Sequence, residues 1–202
     1  MTWRIVMGNI IKNVPKGTPG YFKNRKIKTG IAMVSGYMLV LLLFFSGIFI
    51  FADRGNLLTV VAILMMLPTG KMTVNFLMYT RKGKADASEF DEMCAAYDKL
   101  TLLADILITP EKKSIEFTYT AIDKAHIMIY CTDKKLDTAY HGKYIKDFLK
   151  RSDITTDVSF YTDINKFKKR LAAVNSAAPD SYTDEEAKRI EDIVYNFKIL
   201  SI

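Results

Sequence analysis

The chain has 202 residues, half of them apolar and a quarter charged, which leaves room for one small domain plus appendages. Its net charge of +7 is unevenly spread: residues 1–84 carry twelve Lys/Arg and a single acid, Asp53, while residues 85–202 carry seventeen Lys/Arg against twenty-one Asp/Glu. A basic excess that lies beside apolar runs reads as membrane orientation, which removes nucleic acid as the expected partner.

Residues 1–30 form a basic tail. Trp3, Val6, Met7, Ile10 and Val14 share one side of a helix, with Arg4, Lys12 and Asn13 elsewhere. The pattern predicts a short amphipathic helix on the cytoplasmic leaflet, held by its apolar face and by anionic lipid. Pro15, Gly17, Pro19 and Gly20 end it.

Residues 31–80 are predicted to form a transmembrane hairpin with helices at about 31–52 and 57–79. The first run, Ile31 to Ala52, carries no charge over twenty-two residues. At about 1.5 Å per residue it spans roughly 33 Å, enough for a hydrocarbon core of about 30 Å. It is too long for a signal peptide, and no small-residue cleavage pattern follows it. Asp53-Arg54-Gly55-Asn56 makes the turn, and the second run contains Pro68, Gly70 and Lys71 near its middle. A mid-membrane lysine costs about 2.5–3.5 kcal/mol, against roughly 3–6 kcal/mol returned by the Leu, Ile, Val and Phe residues around it. Pro68 is expected to kink the helix. Lys23, Arg25, Lys26 and Lys28 before the hairpin, with Arg81, Lys82 and Lys84 after it, place both termini in the cytoplasm of a multi-pass plasma (inner) membrane protein.

Residues 85–202 are predicted as a cytoplasmic α+β domain with element order α-β-β-β-α-β-α-α and a mostly antiparallel sheet. Ser88 resembles a helix start, with Phe90, Met93, Cys94 and Tyr97 as the apolar stripe. Residues 101–109 form an apolar strand ended by Pro110. Residues 114–120 alternate as a half-exposed strand with Ile115, Phe117 and Tyr119 on one face, and residues 125–131 follow as a buried one. A helix at 140–150, a short strand at 158–161, a helix capped by Asp163 and a last helix opened by a Thr183–Glu186 capping box complete the domain.

The order helix, three strands, helix, strand resembles the core of restriction-endonuclease-like domains. That resemblance implies a metal-dependent hydrolase with an acid on one strand and an acid-x-Lys on the next. Asp105 lies in the first strand, but Glu111-Lys112-Lys113 falls in the following turn, and the third strand has His126 and Tyr130 where the acid and lysine are needed. A membrane-anchored hydrolase with a degenerate core is the alternative reading on this ground.

Other candidates are sparse. Cys94 and Cys131 lack metal or redox spacing and read as free thiols. His126 is expected in the centre of its strand and His141 on the surface. Pro68-Thr69-Gly70-Lys71 lacks the leading glycine of a phosphate loop and gives no nucleotide site. No cofactor or metal is expected. Lys71, Pro68 and Gly70, with the small-residue pair Ala32 and Gly36, form a candidate intramembrane packing site, at which Lys71 snorkels to the headgroups, meets a second copy or lines a pore. Lys143, Lys146 and Lys150 on one helix, and Lys166, Lys169 and Arg170 on another, are candidates for contact with anionic lipid or an acidic partner. The composite expectation is a membrane-tethered interaction or regulatory protein, its partners the lipid bilayer and a protein or second copy; a small channel or transporter subunit is a further alternative.

Overall fold

The computed structural model describes residues 14–51, 56–80, 83–110, 114–133 and 136–201. The expected amphipathic helix over residues 1–13, the polar turn at 52–55, Arg81 and Lys82, and the turn at Glu111–Lys113 lie outside the described residues. The chain divides into two compact units, one containing the two long apolar helices and the other joining Val14–Tyr21 to Gly83–Ile202.

In the first unit, α1 (Tyr21–Phe51) starts ten residues before the expected helix, directly after Gly20 at φ +80°. Lysines and Arg25 have good helix propensity, and no proline interrupts residues 21–30, so the basic segment joins the helix instead of remaining a tail. Helix α2 (Leu57–Thr80) is continuous through Pro68. Around that proline, Thr69 Oγ1 donates to the Met65 carbonyl at 2.8 Å and Thr73 Oγ1 to the Thr69 carbonyl at 3.0 Å.

The two helices meet along small and hydroxyl-bearing residues. A Cβ added at Gly36 would stand 3.0 Å from Thr69 Oγ1, a contact tight enough that the Thr69 side chain would have to give way. Tyr37 Oη lies 3.1 Å from Thr73 Oγ1, and the Phe22 and Tyr79 rings stack at 5.9 Å. Val40, Ala62, Thr59 and Thr69 are buried in this seam. Both helices are long and apolar enough to cross a membrane, and only 11% and 17% of their most apolar stretches are buried within the chain.

The second unit contains α3 (Ala87–Ala96), β1 (Thr101–Ile108), β2 (Ile115–Ile122), β3 (His126–Tyr130), α4 (Thr138–Lys150), β4 (Asp157–Tyr161), α5 (Ile164–Ala177) and α6 (Asp184–Leu200). The sheet order is β1-β2-β3-β4: the first three strands are antiparallel, and β4 runs parallel to β3 after crossing over through α4. Helix α3 is capped two residues earlier than expected, by Asp86, whose carboxylate accepts from the Ser88 and Glu89 N–H groups. The Asp163 cap and the Thr183–Glu186 capping box are both present.

Helices cover both faces of the sheet. Ile145 and Leu149 of α4 and Ile193 and Phe197 of α6 pack on one face; Phe90 and Met93 of α3 and Phe167, Leu171 and Val174 of α5 pack on the other. This corrects the half-exposed reading of β2, which is buried along nearly its whole length. It also separates Tyr119 from Ile115 and Phe117, because strand phase switches midway: Ala104 and Tyr119 face the α3/α5 side, whereas Ile106 and Phe117 face the α4/α6 side. The switch coincides with Asp105, which sits at φ +51°. A left-handed residue in a strand rotates the following side chains to the opposite face.

The outer edge of β1 is covered rather than open. Gly17 C=O accepts from Ala104 N–H at 2.8 Å, and Ser201 bridges to Ile108. Gly17 is required there, since its φ is +90° and a Cβ would stand 2.9 Å from Leu103 Cδ2. Lys16 Nζ donates to the Lys198 and Ser201 carbonyls, placing a cation at the C-terminus of α6.

Candidate functional site

Within the helical unit, Lys71 and Pro68 are exposed and Gly70 is half-buried, whereas Thr69 between them is buried against Gly36. Lys71 therefore stands on the side of α2 away from α1. Gly36 is used in the contact within the chain, and Ala32, one turn earlier, is half-buried.

In the second unit, Lys143 and Lys150 are exposed and Lys146 is partly buried on α4; Lys166, Lys169 and Arg170 are exposed on α5. Since α4 and α5 pack on opposite faces of the sheet, the two basic sets do not merge into one surface. Lys168 of α5 is spent on Glu89 of α3 at 2.7 Å.

The carboxylates nearest to a nuclease pattern do other work. Asp105 is 1% exposed; its Oδ2 accepts from Gly20 N–H at 2.9 Å and its Oδ1 from Ala85 N–H at 3.4 Å. Burial pushes its pKa up to about 6; the two backbone N–H groups pull it down, and nearby Glu116 adds to the rise. Glu116 Oε1 accepts from the Gly83 and Lys84 N–H groups at 2.7 and 3.1 Å. These two acids hold the backbone segments that precede α1 and follow α2 in the sequence. Among the described residues, no group of three or more His, Cys, Asp or Glu is arranged to hold a metal ion.

A second polar network was hidden in the sequence by its ordinary turn composition. Asp123, in the β2–β3 turn, is buried and accepts from Tyr182 Oη at 2.9 Å, and Tyr182 Oη also reaches the Lys99 carbonyl at 3.2 Å. Burial and the Asp123 carboxylate raise the Tyr182 phenol to about 12. Asp123 Oδ2 lies 3.8 Å from His126 Nδ1. His126 opens β3 instead of occupying its centre, and is partly exposed because the strand begins there. His141, expected at the surface, is buried on the sheet side of α4 with its ring edge-on to Tyr140 at 4.9 Å. Cys94 is exposed and Cys131 buried, both as free thiols.

Two clefts accompany this network. One, of about 490 Å³, lies beside the Lys99–Asp180 ion pair (2.6 Å) and Tyr182. The other, of about 500 Å³, lies where β3 and β4 begin and α4 ends, and is lined by His126, Lys146, Lys150, Ile154, Thr156 and Asp157 among others. In it, Lys146 Nζ pairs with Asp157 Oδ1 at 2.9 Å, which holds the Asp157 carboxyl below its ordinary range. Compared with known proteins, the chain matches no family model, no curated protein and no solved structure.

Proposed function

We propose that this chain is a membrane-tethered interaction or regulatory protein, its two long helices embedded as a hairpin in the plasma membrane and its α/β unit presented to the cytoplasm. The observation that carries this reading is the distribution of exposed apolar side chains. Among the described residues, every exposed large hydrophobic lies between Ile27 and Leu77, apart from Tyr195 and Ile199. The exposure reaches 83% at Phe49, 76% at Leu57 and 75% at Leu67. Core helices of a water-soluble protein bury such residues, each for about 1.5–3 kcal/mol. Here the apolar surface faces outward around a narrow internal seam, as a lipid solvent requires.

The flanking charge asymmetry supports the orientation, and the two separate basic sets on α4 and α5 offer surfaces for an acidic protein partner or a second copy. The exposure of Lys71 on α2 supports a contact with headgroups or a neighbouring helix. The α/β unit supports binding better than catalysis, because its two most buried acids, Asp105 and Asp123, are engaged by backbone or tyrosine donors.

Cysteine labelling tests the topology. In intact cells an impermeant maleimide should label an Arg54→Cys, Cys94→Ser variant, while the natural, exposed Cys94 should react only after permeabilisation. Burial and Asp91 raise the Cys94 thiol, so labelling is read at mildly alkaline pH. Labelling of Cys94 from outside would reverse the topology. Recovery of the Arg54→Cys, Cys94→Ser variant in the water-soluble fraction, unlabelled, would remove the membrane altogether.

A further inference from the structure

We propose that the cleft at the start of β3 and β4 binds a phosphate-type anion, presented by a small phosphorylated molecule or by a lipid headgroup. This goes beyond the tethering reading and does not depend on it. Three features converge. The first is charge: Lys146 and Lys150 line the cleft, where Asp157 is already paired with Lys146 and Asp123 lies behind the His126 ring. Lys150 is exposed and makes no ion pair among the described residues. Arg189 of α6 adds a third cation beside the cleft by donating to the Thr155 carbonyl at 3.0 Å.

The second feature is a buried, unanswered hydroxyl. Thr156 is 9% exposed, and its Oγ1 is buried with no hydrogen-bond partner among the described residues; His126 Nδ1 makes no hydrogen bond there either, but it faces the Asp123 carboxylate at 3.8 Å. A buried hydroxyl left in that condition calls for a ligand or an equivalent partner. A phosphate oxygen accepts from the Thr156 hydroxyl, and its charge answers the lysines. A metal ion does not suit a lining of two lysines and one histidine.

The third feature is that the local backbone does not oppose an anion. The carbonyls at the end of α4 face inward to their own turn, accepting from the Arg151, Ser152, Asp153 and Ile154 N–H groups at 3.0–3.2 Å. A helix C-terminus whose carbonyls were open would repel phosphate. At about 500 Å³ with Ile154 as an apolar wall, the cleft suits a phosphomonoester carrying a small organic group.

The chain has only two histidines, His126 and His141, so selective ¹³C-histidine labelling gives a two-signal reporter. The full chain is studied in phosphatidylcholine nanodiscs, with the His126 signal identified by its loss in His126→Gln. Glycerol 3-phosphate should shift the His126 signal saturably, glycerol should not, and buried His141 should hold still. Lys150→Glu, a surface change, should weaken the response at least tenfold. If only nanodiscs doped with phosphatidic acid shift His126, the anion is a lipid headgroup, which upholds the same chemistry. The proposal is overturned if neither phosphate source moves His126, or if Lys150→Glu responds as the wild type does.

Discussion

Replacing Asp105 by Asn isolates the electrostatic cost of a buried acid in the middle of β1. Its pKa of about 6 lies roughly 2 units above the ordinary 3.8, which amounts to about 2–3 kcal/mol of penalty for holding the ionised form in the fold. The sign follows from proton counting. Between about pH 4 and pH 6 the folded chain holds more protons at this site than the unfolded chain. Its contribution to stability therefore falls as pH rises through that window and is flat above it. Asn keeps the shape and tolerates φ +51° as Asp does, but it cannot ionise. It also presents an N–H₂ to one of the two backbone donors now served by the carboxylate, a loss of about 1–3 kcal/mol. At pH 7.5 these effects oppose, and the variant should lie near the wild type. On moving to pH 4 the wild type should gain about 2 kcal/mol over the variant. For a unit of this size that is a relative melting shift of roughly 8 °C. The measurement is near-ultraviolet circular dichroism of the full chain in detergent micelles at both pH values. The acids whose pKa is lowered by ion pairing, Asp157, Asp180 and Glu186, lose stability on acidification in both proteins and cancel in the difference. Parallel melting curves from pH 4 to 7.5 would refute the buried-acid argument.

Two further substitutions test close approaches. Gly17→Ala combines a φ of +90° with a Cβ 2.9 Å from Leu103 Cδ2, and should lower stability by about 1–3 kcal/mol in the same melt; an unchanged midpoint would show that Val14–Tyr21 does not cover β1. Gly36→Leu should force the two long helices apart at Thr69, at a cost of about 1–3 kcal/mol, read as earlier loss of far-ultraviolet helicity on titrating the micelles with dodecyl sulfate; coincident curves would show that the helices do not pack there.

The sequence by itself determined the features that depend on near neighbours. Charge-free runs, capping residues and alternating strands are local patterns, so the two long helices, the order of elements from residue 87 onward, and the caps at Asp163 and Thr183 were legible before any coordinates. What only the tertiary structure decided is non-local. Asp105 breaks the alternation of β1, and Ala104 and Ile106 on either side of it pair with Tyr119 and Phe117, so alternation counted along β2 alone put Tyr119 on the wrong face. The attachment of Val14–Tyr21 to the edge of β1, and the grip of Asp105 and Glu116 on backbone at residues 20 and 83–85, join parts of the chain far apart in sequence. The cleft shared by His126, Lys146 and Thr156 has the same origin: parallel pairing of β3 with β4 brings residue 126 to residue 157, and no pattern along one segment encodes that meeting.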